Sequence, residues 1–169
     1  LPEDTDDDRH VTNNHTIEGT ADRDVTQTSG TKLMGERASN IMAQRYNVAD
    51  VDHIFAGVQK NLGPAGVTLV IVKKDLIKPV EHIPNILNYS LFAKKNSMPN
   101  TPPVFAIYAT GLTLKWLKEQ GGVDEMQRRN EKKASLLYDF LDNSKLFRST
   151  VIAPDRSLTN VPFVTGDPE

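Results

Sequence analysis

The sequence predicts an α/β fold on three observations. Two short apolar segments of strand character bracket a loop rich in glycine and proline, a helix with a recurring apolar face follows, and a diglycine separates it from a second, amphipathic helix. In chain order, the first 35 residues are polar and weakly periodic, with an acidic cluster at Asp4, Asp6, Asp7 and Asp8 and a Thr/Ser/Gly-rich stretch from Thr26 to Thr31. They predict loops. A calcium loop needs a spaced ligand ladder, a glycine turn and a distal Glu, so the aspartates predict a solvated acidic loop instead. His53 to Gly57 predicts a strand, and Val67 to Lys73 a stronger one whose β-branched residues run continuously, as in a strand buried on both faces. Between them, Gln59 to Gly66 carries glycines and a proline that permit sharp turns.

Four prolines and mixed polarity from Lys74 to Pro102 predict an excursion from the sheet. Pro103 suits the first turn of a helix that continues to Gln120, with Phe105, Tyr108, Leu112 and Trp116 on one face and core packing expected for Trp116. Gly121-Gly122 stops it. A second helix is predicted from Val123 to Leu141, with apolar Val123, Met126, Ala134, Leu137 and Leu141, a solvated middle from Gln127 to Lys133, and Glu125 and Arg129 in the favourable i,i+4 order. The composition changes at the diglycine, which divides the chain into an expected first domain over 1–121 and a second over 122–169. Val161 to Thr165 has strand character, and no internal repeat is visible.

The chain has 169 residues, 38% hydrophobic and 25% charged, enough for one ordinary domain or part of a larger one. Its net charge of -2 and pI near 6.1 argue against a nucleic-acid groove or a membrane-surface patch. The longest apolar run, Val67 to Val72, falls far short of the ~20 residues that span a bilayer. A soluble, cytoplasmic protein is the expectation. Without cysteine there is no disulfide, thiolate metal site or cysteine nucleophile. The start at Leu1 and the finish just after a strand-like segment lead us to expect truncation at both ends.

Lys60 stands at the end of a buried strand in a glycine-rich loop, a setting in which a lysine can act as a Schiff-base nucleophile if its surroundings lower its pKa. An ordinary solvated lysine is the competing reading. Gly63 to Gly66 lacks the Gly-Lys-Ser/Thr ending of a phosphate-cradling loop. His10, His15, His53 and His82 have no metal-ligand spacing, and no G-x-S-x-G elbow is present. No metal is therefore expected.

The run from Ile54 to Thr68 resembles the cofactor-lysine region of the phosphoserine aminotransferase family, which are fold-type I, class V pyridoxal-phosphate enzymes. Asn14-His15-Thr16-Ile17-Glu18-Gly19-Thr20 is similar to that family's N-x-T-I-x-G segment, and Ser97 to Pro103 to its S-M-x-N-T-P-P. Lys115 to Gly122 resembles K-W-L-K-x-x-G-G, and Asn160-Val161-Pro162-Phe163 matches N-V-P-F. These matches keep their order over nearly the whole chain. The resemblance implies part of a large mixed-sheet cofactor domain followed by the start of a small α+β domain, with pyridoxal 5'-phosphate as cofactor. It implies amino-group transfer between O-phosphoserine with 2-oxoglutarate and 3-phosphohydroxypyruvate with glutamate, in serine biosynthesis.

Carried over by position, Lys60 is the Schiff-base lysine and proton shuttle, while Gln59 and Thr16 contact the cofactor. Asn100 and Thr101 would reach the cofactor phosphate of the neighbouring subunit of a homodimer. Each has a plainer reading: turn-capping hydroxyls, a loop amide, a turn former before proline. The family's V-A-D-M-S-S-N segment aligns with Met34 to Asn40, which places Glu36 where an aspartate pairs with the pyridine nitrogen and keeps the cofactor an electron sink. Glutamate keeps the charge but adds a methylene, so reduced activity is expected. The resemblance covers only the middle of a longer family chain. A non-catalytic remnant that keeps the dimer surface, or a related aminotransferase with another substrate, stay open as alternatives.

Overall fold

A computed structural model of the chain describes residues 8–22 and 31–165. Asp4, Asp6 and Asp7, and all but the last residue of the Thr26 to Thr31 stretch, lie outside them. Four strands form one sheet in sequence order: β1 (Arg9–Thr12), β2 (Leu33–Glu36), β3 (His53–Gly57) and β4 (Thr68–Val72). The first three are parallel and β4 is antiparallel to β3, with Thr12, Glu36, Phe55 and Val70 in one register row.

Alternation decides what the sheet buries. Leu33 and Ile54, with Val11 and Ile71 beside them, pack on Val51 and Tyr46. Ala56, Val58 and Leu62 pack on Ile41. The segment 37–51 supplies that cover. The opposite face carries His10, Met34, Glu36, His53 and Phe55, none of them buried, with the His10 ring stacked on Phe55 at 5.6 Å. At the other end of the strands, the nearly buried Asp52 accepts from the Leu33 amide at 2.8 Å and from Lys73 Nζ at 2.6 Å, tying the start of β2 to the end of β4.

Two expectations need correction here. The first 35 residues are not all loop, because β1 and β2 both enter the sheet; four-residue strands leave too short a pattern to read, and their pairing is supplied by neighbours distant in sequence. Nor is β4 buried on both faces. It is a strand at the edge of this sheet, with Val70 exposed and no residue of the strand fully buried. The excursion is borne out as turns and one short helix, α1 (Tyr89–Lys94), capped by the Asn88 side chain.

The two long helices fall close to expectation as α2 (Val104–Glu119) and α3 (Gly122–Asn143), and Gly121 ends α2 in the left-handed conformation. The buried stripe of α2 differs from the expected one: Ala106, Thr110 and Leu117 face inward, while Phe105 is 74% exposed and Tyr108, Leu112 and Trp116 are also exposed. Periodicity shows which residues share a face, not which face is covered. Helix α3 buries Asn130, Ala134, Tyr138 and Leu141, but leaves Leu137 exposed. Its Glu125 clamps both Arg128 and Arg129 at 2.8 Å. Phe147, Leu158 and Val161 close over Ala134, Tyr138 and Leu141. A small antiparallel pair follows, β5 (Phe147–Ser149) with β6 (Phe163–Thr165). Asn130 donates to the Ala43 carbonyl at 2.8 Å, so α3 is fastened to the segment that covers the sheet. No helix among the described residues is long and apolar enough to cross a membrane.

Candidate active site

Ligands of open α/β sheets bind outside the carboxyl ends of the parallel strands. Here those ends are Thr12, Glu36 and Gly57, and four of the predicted site residues, Thr16, Glu36, Gln59 and Lys60, lie at or just after them. After β3 the chain makes one tight turn, Val58 to Lys60, in which the amides of Asn61, Leu62 and Gly63 all bond to the Val58 carbonyl. Val58 and Leu62 are both buried, so the turn is anchored on either side of Lys60 while the lysine itself is exposed. Its Nζ donates to Thr16 Oγ1 at 2.7 Å.

Thr16 lies in the turn that follows β1, closed by the His15 amide on the Thr20 carbonyl (2.8 Å) and the Gly19 amide on the His15 carbonyl (2.9 Å). A hydroxyl that accepts from an amine keeps its own proton for another acceptor. Among the described residues, the lysine nitrogen is thus aimed by one neutral group and not held by a carboxylate.

Glu36 ends β2, the strand beside β3. Its Oε1 accepts from the Ala38 amide at 2.6 Å, and its other oxygen has no hydrogen bond among the described residues. Beneath it, Arg37 is buried, its amide donating to the Phe55 carbonyl and its guanidinium 4.1 Å from the centre of the Tyr46 ring. Burial lowers the Arg37 pKa and raises that of Tyr46. Arg37 Nε and the side-chain amides of Asn13 and Asn40 are buried without a hydrogen-bond partner among the described residues. A family methionine would need none of this, and the Arg37 substitution in that segment is apparent from the sequence, though its burial is not.

Gln59 is exposed beside Lys60, its amide folded back over Gly57, where a Cβ would meet it at 2.5 Å. Asn100 and Thr101 are exposed in the segment before α2, and Asn100 Nδ2 donates to the Thr101 carbonyl at 3.2 Å. Neither residue hydrogen-bonds to Lys60, Thr16 or Glu36. Thr16 and Lys60 are therefore directly joined, Glu36 stands on the adjoining strand end, and the other three predicted residues are apart from that contact. Two surface hollows, of about 320 and 390 Å³, are lined by α3 with the β5 region and by Trp116 with Arg128, Arg129, Lys132 and Lys133; neither is lined by a site residue.

Sequence reading missed a buried polar network behind the Thr16 turn, formed by Asn14, Ser39, Ser157 and Asn160. The signal was there, since Asn14 and Asn160 each belong to one of the matching segments.

Residues 10–169 match the family model described as Aminotransferase class-V. The chain is 61% identical over 159 residues to the phosphoserine aminotransferase of Lactobacillus helveticus, covering 94% of this chain and 43% of that protein. It is 57% identical over 157 residues to that of Lactiplantibacillus plantarum, covering 93% and 44%. Among solved structures, phosphoserine aminotransferase from Bacillus circulans subsp. alkalophilus superimposes with a TM-score of 0.90 at 41% identity, over 94% of this chain and 44% of that one. The phosphoserine aminotransferase of Trichomonas vaginalis, solved with pyridoxal phosphate bound, gives 0.88 at 34% identity over the same shares. The chain spans less than half the length of the relatives it matches.

Proposed function

The chain belongs to the aminotransferase class-V family, and from that membership we propose that it is the central portion of a pyridoxal-phosphate-dependent phosphoserine aminotransferase. The observation that carries this reading is the Lys60 amine held by Thr16 at 2.7 Å, at the carboxyl ends of the three parallel strands of the mixed sheet, where the adjoining strand ends in Glu36. The residues present fit the cofactor at two points. An exposed primary amine can bond its aldehyde, and a carboxylate with one oxygen uncommitted can pair with a protonated ring nitrogen.

Bound there, pyridoxal phosphate supplies the electron sink that amino-group transfer needs. Lys60 would hold the cofactor and, once released, carry a proton at Nζ. Thr16 would orient that nitrogen, Glu36 would hold the proton at the ring nitrogen, and Gln59 would contact the cofactor. Asn100 and Thr101 would act on the site of a second copy. The substrates proposed are O-phosphoserine with 2-oxoglutarate and 3-phosphohydroxypyruvate with glutamate, in cytoplasmic serine biosynthesis.

The exposed stripe Phe105, Tyr108, Leu112 and Trp116 is a face that either a second copy, as in the proposed homodimer, or the remainder of a longer chain would cover. We keep the domain division at Gly121-Gly122, with 1–121 in the large and 122–169 in the small domain. A second reading, a remnant of the fold without turnover, is favoured by the buried Arg37, next to Glu36 in the chain, whose Nε lacks a partner among the described residues.

One experiment separates them. Pyridoxal phosphate is added to the purified protein, the adduct is reduced with borohydride, and the labelled lysines are located by mass spectrometry. Selective label on Lys60, with loss of the visible band in Lys60→Ala, is expected. Scattered label, or none, overturns the assignment.

A further inference from the structure

Asn14 is 2% exposed, and its side chain is fully engaged. Its Nδ2 donates to Ser39 Oγ at 2.8 Å and to Asn160 Oδ1 at 2.7 Å, and its Oδ1 accepts from Ser157 Oγ at 2.5 Å. Ser39 Oγ returns a bond to the Asn14 carbonyl at 3.0 Å. Three separate stretches of chain thus meet at one amide: the loop that leaves Glu36, the segment after α3, and the turn that presents Thr16 to Lys60.

The same turn is pinned along its far side. The Ser157 amide donates to the Gly19 carbonyl at 2.9 Å, the Ala21 amide to the Asp155 carbonyl at 2.9 Å, and Thr20 bridges Arg156. Gly19 adopts a φ of +69° and lies so close to Pro162 that a Cβ would fall 2.0 Å from the proline Cδ. Thr16 itself is exposed. The backbone of its turn is held by these anchors, and its hydroxyl accepts from Lys60 Nζ.

We propose that Asn14 is a positioning residue for the Thr16–Lys60 pair: it locks the Thr16 turn simultaneously to the Glu36 loop and to the 153–162 segment, so that the lysine's orientation depends on chain beyond α3. The proposal rests on Lys60 being the cofactor lysine. Its test therefore has one arm that needs no cofactor.

In that arm, amide hydrogen exchange is followed over residues 15–20 of the cofactor-free protein. Asn14→Asp removes both donations and sets a carboxylate against Asn160 Oδ1, so exchange should quicken about tenfold, as expected for losing a buried hydrogen bond. Asn160→Asp retains the acceptor and should change exchange by less than about threefold. Asn160→Leu removes it and should resemble Asn14→Asp, which keeps the test open if that variant does not fold. Equal exchange in wild type and Asn14→Asp, or equal effects of Asn160→Asp and Asn160→Leu, would overturn the clamp.

The second arm titrates pyridoxal phosphate by its visible band. Asn14→Asp should weaken binding about tenfold when Thr16 is present and less than about twofold in Thr16→Val, because the effect passes through that hydroxyl. The same loss on both backgrounds reduces Asn14 to a general stabiliser and refutes the proposal. If wild type takes no cofactor at Lys60, the reading of the site fails, and the exchange arm alone decides the clamp.

Discussion

Glu36 has two roles that substitutions can separate. Its Oε1 accepts from the Ala38 amide at 2.6 Å, and Ala38 is buried. Glu36→Ala leaves that amide unsatisfied, which costs about 2 kcal/mol, or roughly 4–8 °C in Tm for a chain of this size. Glu36→Gln keeps an acceptor oxygen, and Glu36→Asp can close the same bond as an Asx turn, two residues from the Ala38 amide. Both should stay within about 2 °C of wild type. Cofactor chemistry should order the variants differently. Glu36→Gln cannot hold a proton at a ring nitrogen, so it should weaken pyridoxal phosphate binding as much as Glu36→Ala does. Glu36→Asp should keep binding and, in a chain completed to family length, raise transamination by restoring the family's carboxylate distance. The assay is thermal unfolding and visible-band titration on the same four proteins, with the transamination rate of wild type and Glu36→Asp measured in the completed chain. If Gln and Ala variants lose the same stability, the Ala38 bond is not structural; if Glu36→Asp leaves the rate unchanged or lowers it, the extra methylene is not a defect.

Three further outcomes follow from the packing. Asp52→Ala strands the Leu33 amide and should cost about 2–3 kcal/mol in urea unfolding, whereas Lys73→Met should cost under about 1 kcal/mol because Lys73 is partly exposed; equal costs would put the energy in the ion pair. Arg37→Met removes a buried, incompletely paired charge and should stabilise by about 1 kcal/mol net of the lost Tyr46 contact, and a loss of stability would show that the guanidinium is satisfied. His53, desolvated by burial and repelled by His10, titrates below the ordinary 6.5. The native state therefore binds fewer protons than the unfolded chain, so its contribution to stability is complete above 6.5 and is lost as pH falls towards the folded value. An NMR titration of the ring proton should show this, and His10→Gln should move the midpoint up; no movement would exclude the His10 charge as a cause.

The strands at His53 to Gly57 and near Val67 to Lys73 and both long helices were legible because each carries its own pattern: a continuous apolar run or a long amphipathic period. β1 and β2 were not, since RHVT and LMGE acquire strand character only from each other and from β3. The lysine could be found in the sequence as part of a local segment. Its contact with Thr16, 44 residues away, could be expected only by carrying both positions from the family, and the geometry of that contact is a property of the folded sheet. Arg37 and Asn14 look polar and therefore superficial on paper. Burial reverses that reading, and burial is set by chain that sequence periodicity does not reach.

The distance along the chain between Asn14 and Asn160 also orders events in time. They are 146 residues apart, and at a synthesis rate of about 5–20 residues per second the second emerges roughly 7–30 s after the first. Once Glu36 and Lys60 have been made, the strand ends are present while the turn bearing Thr16 still lacks its anchors at Asp155, Ser157 and Asn160. The Thr16–Lys60 contact consequently matures only after the chain through Asn160 has emerged, and a ribosome paused before Asn160 would hold a sheet whose Lys60 side chain is present but whose Thr16 turn is not yet anchored.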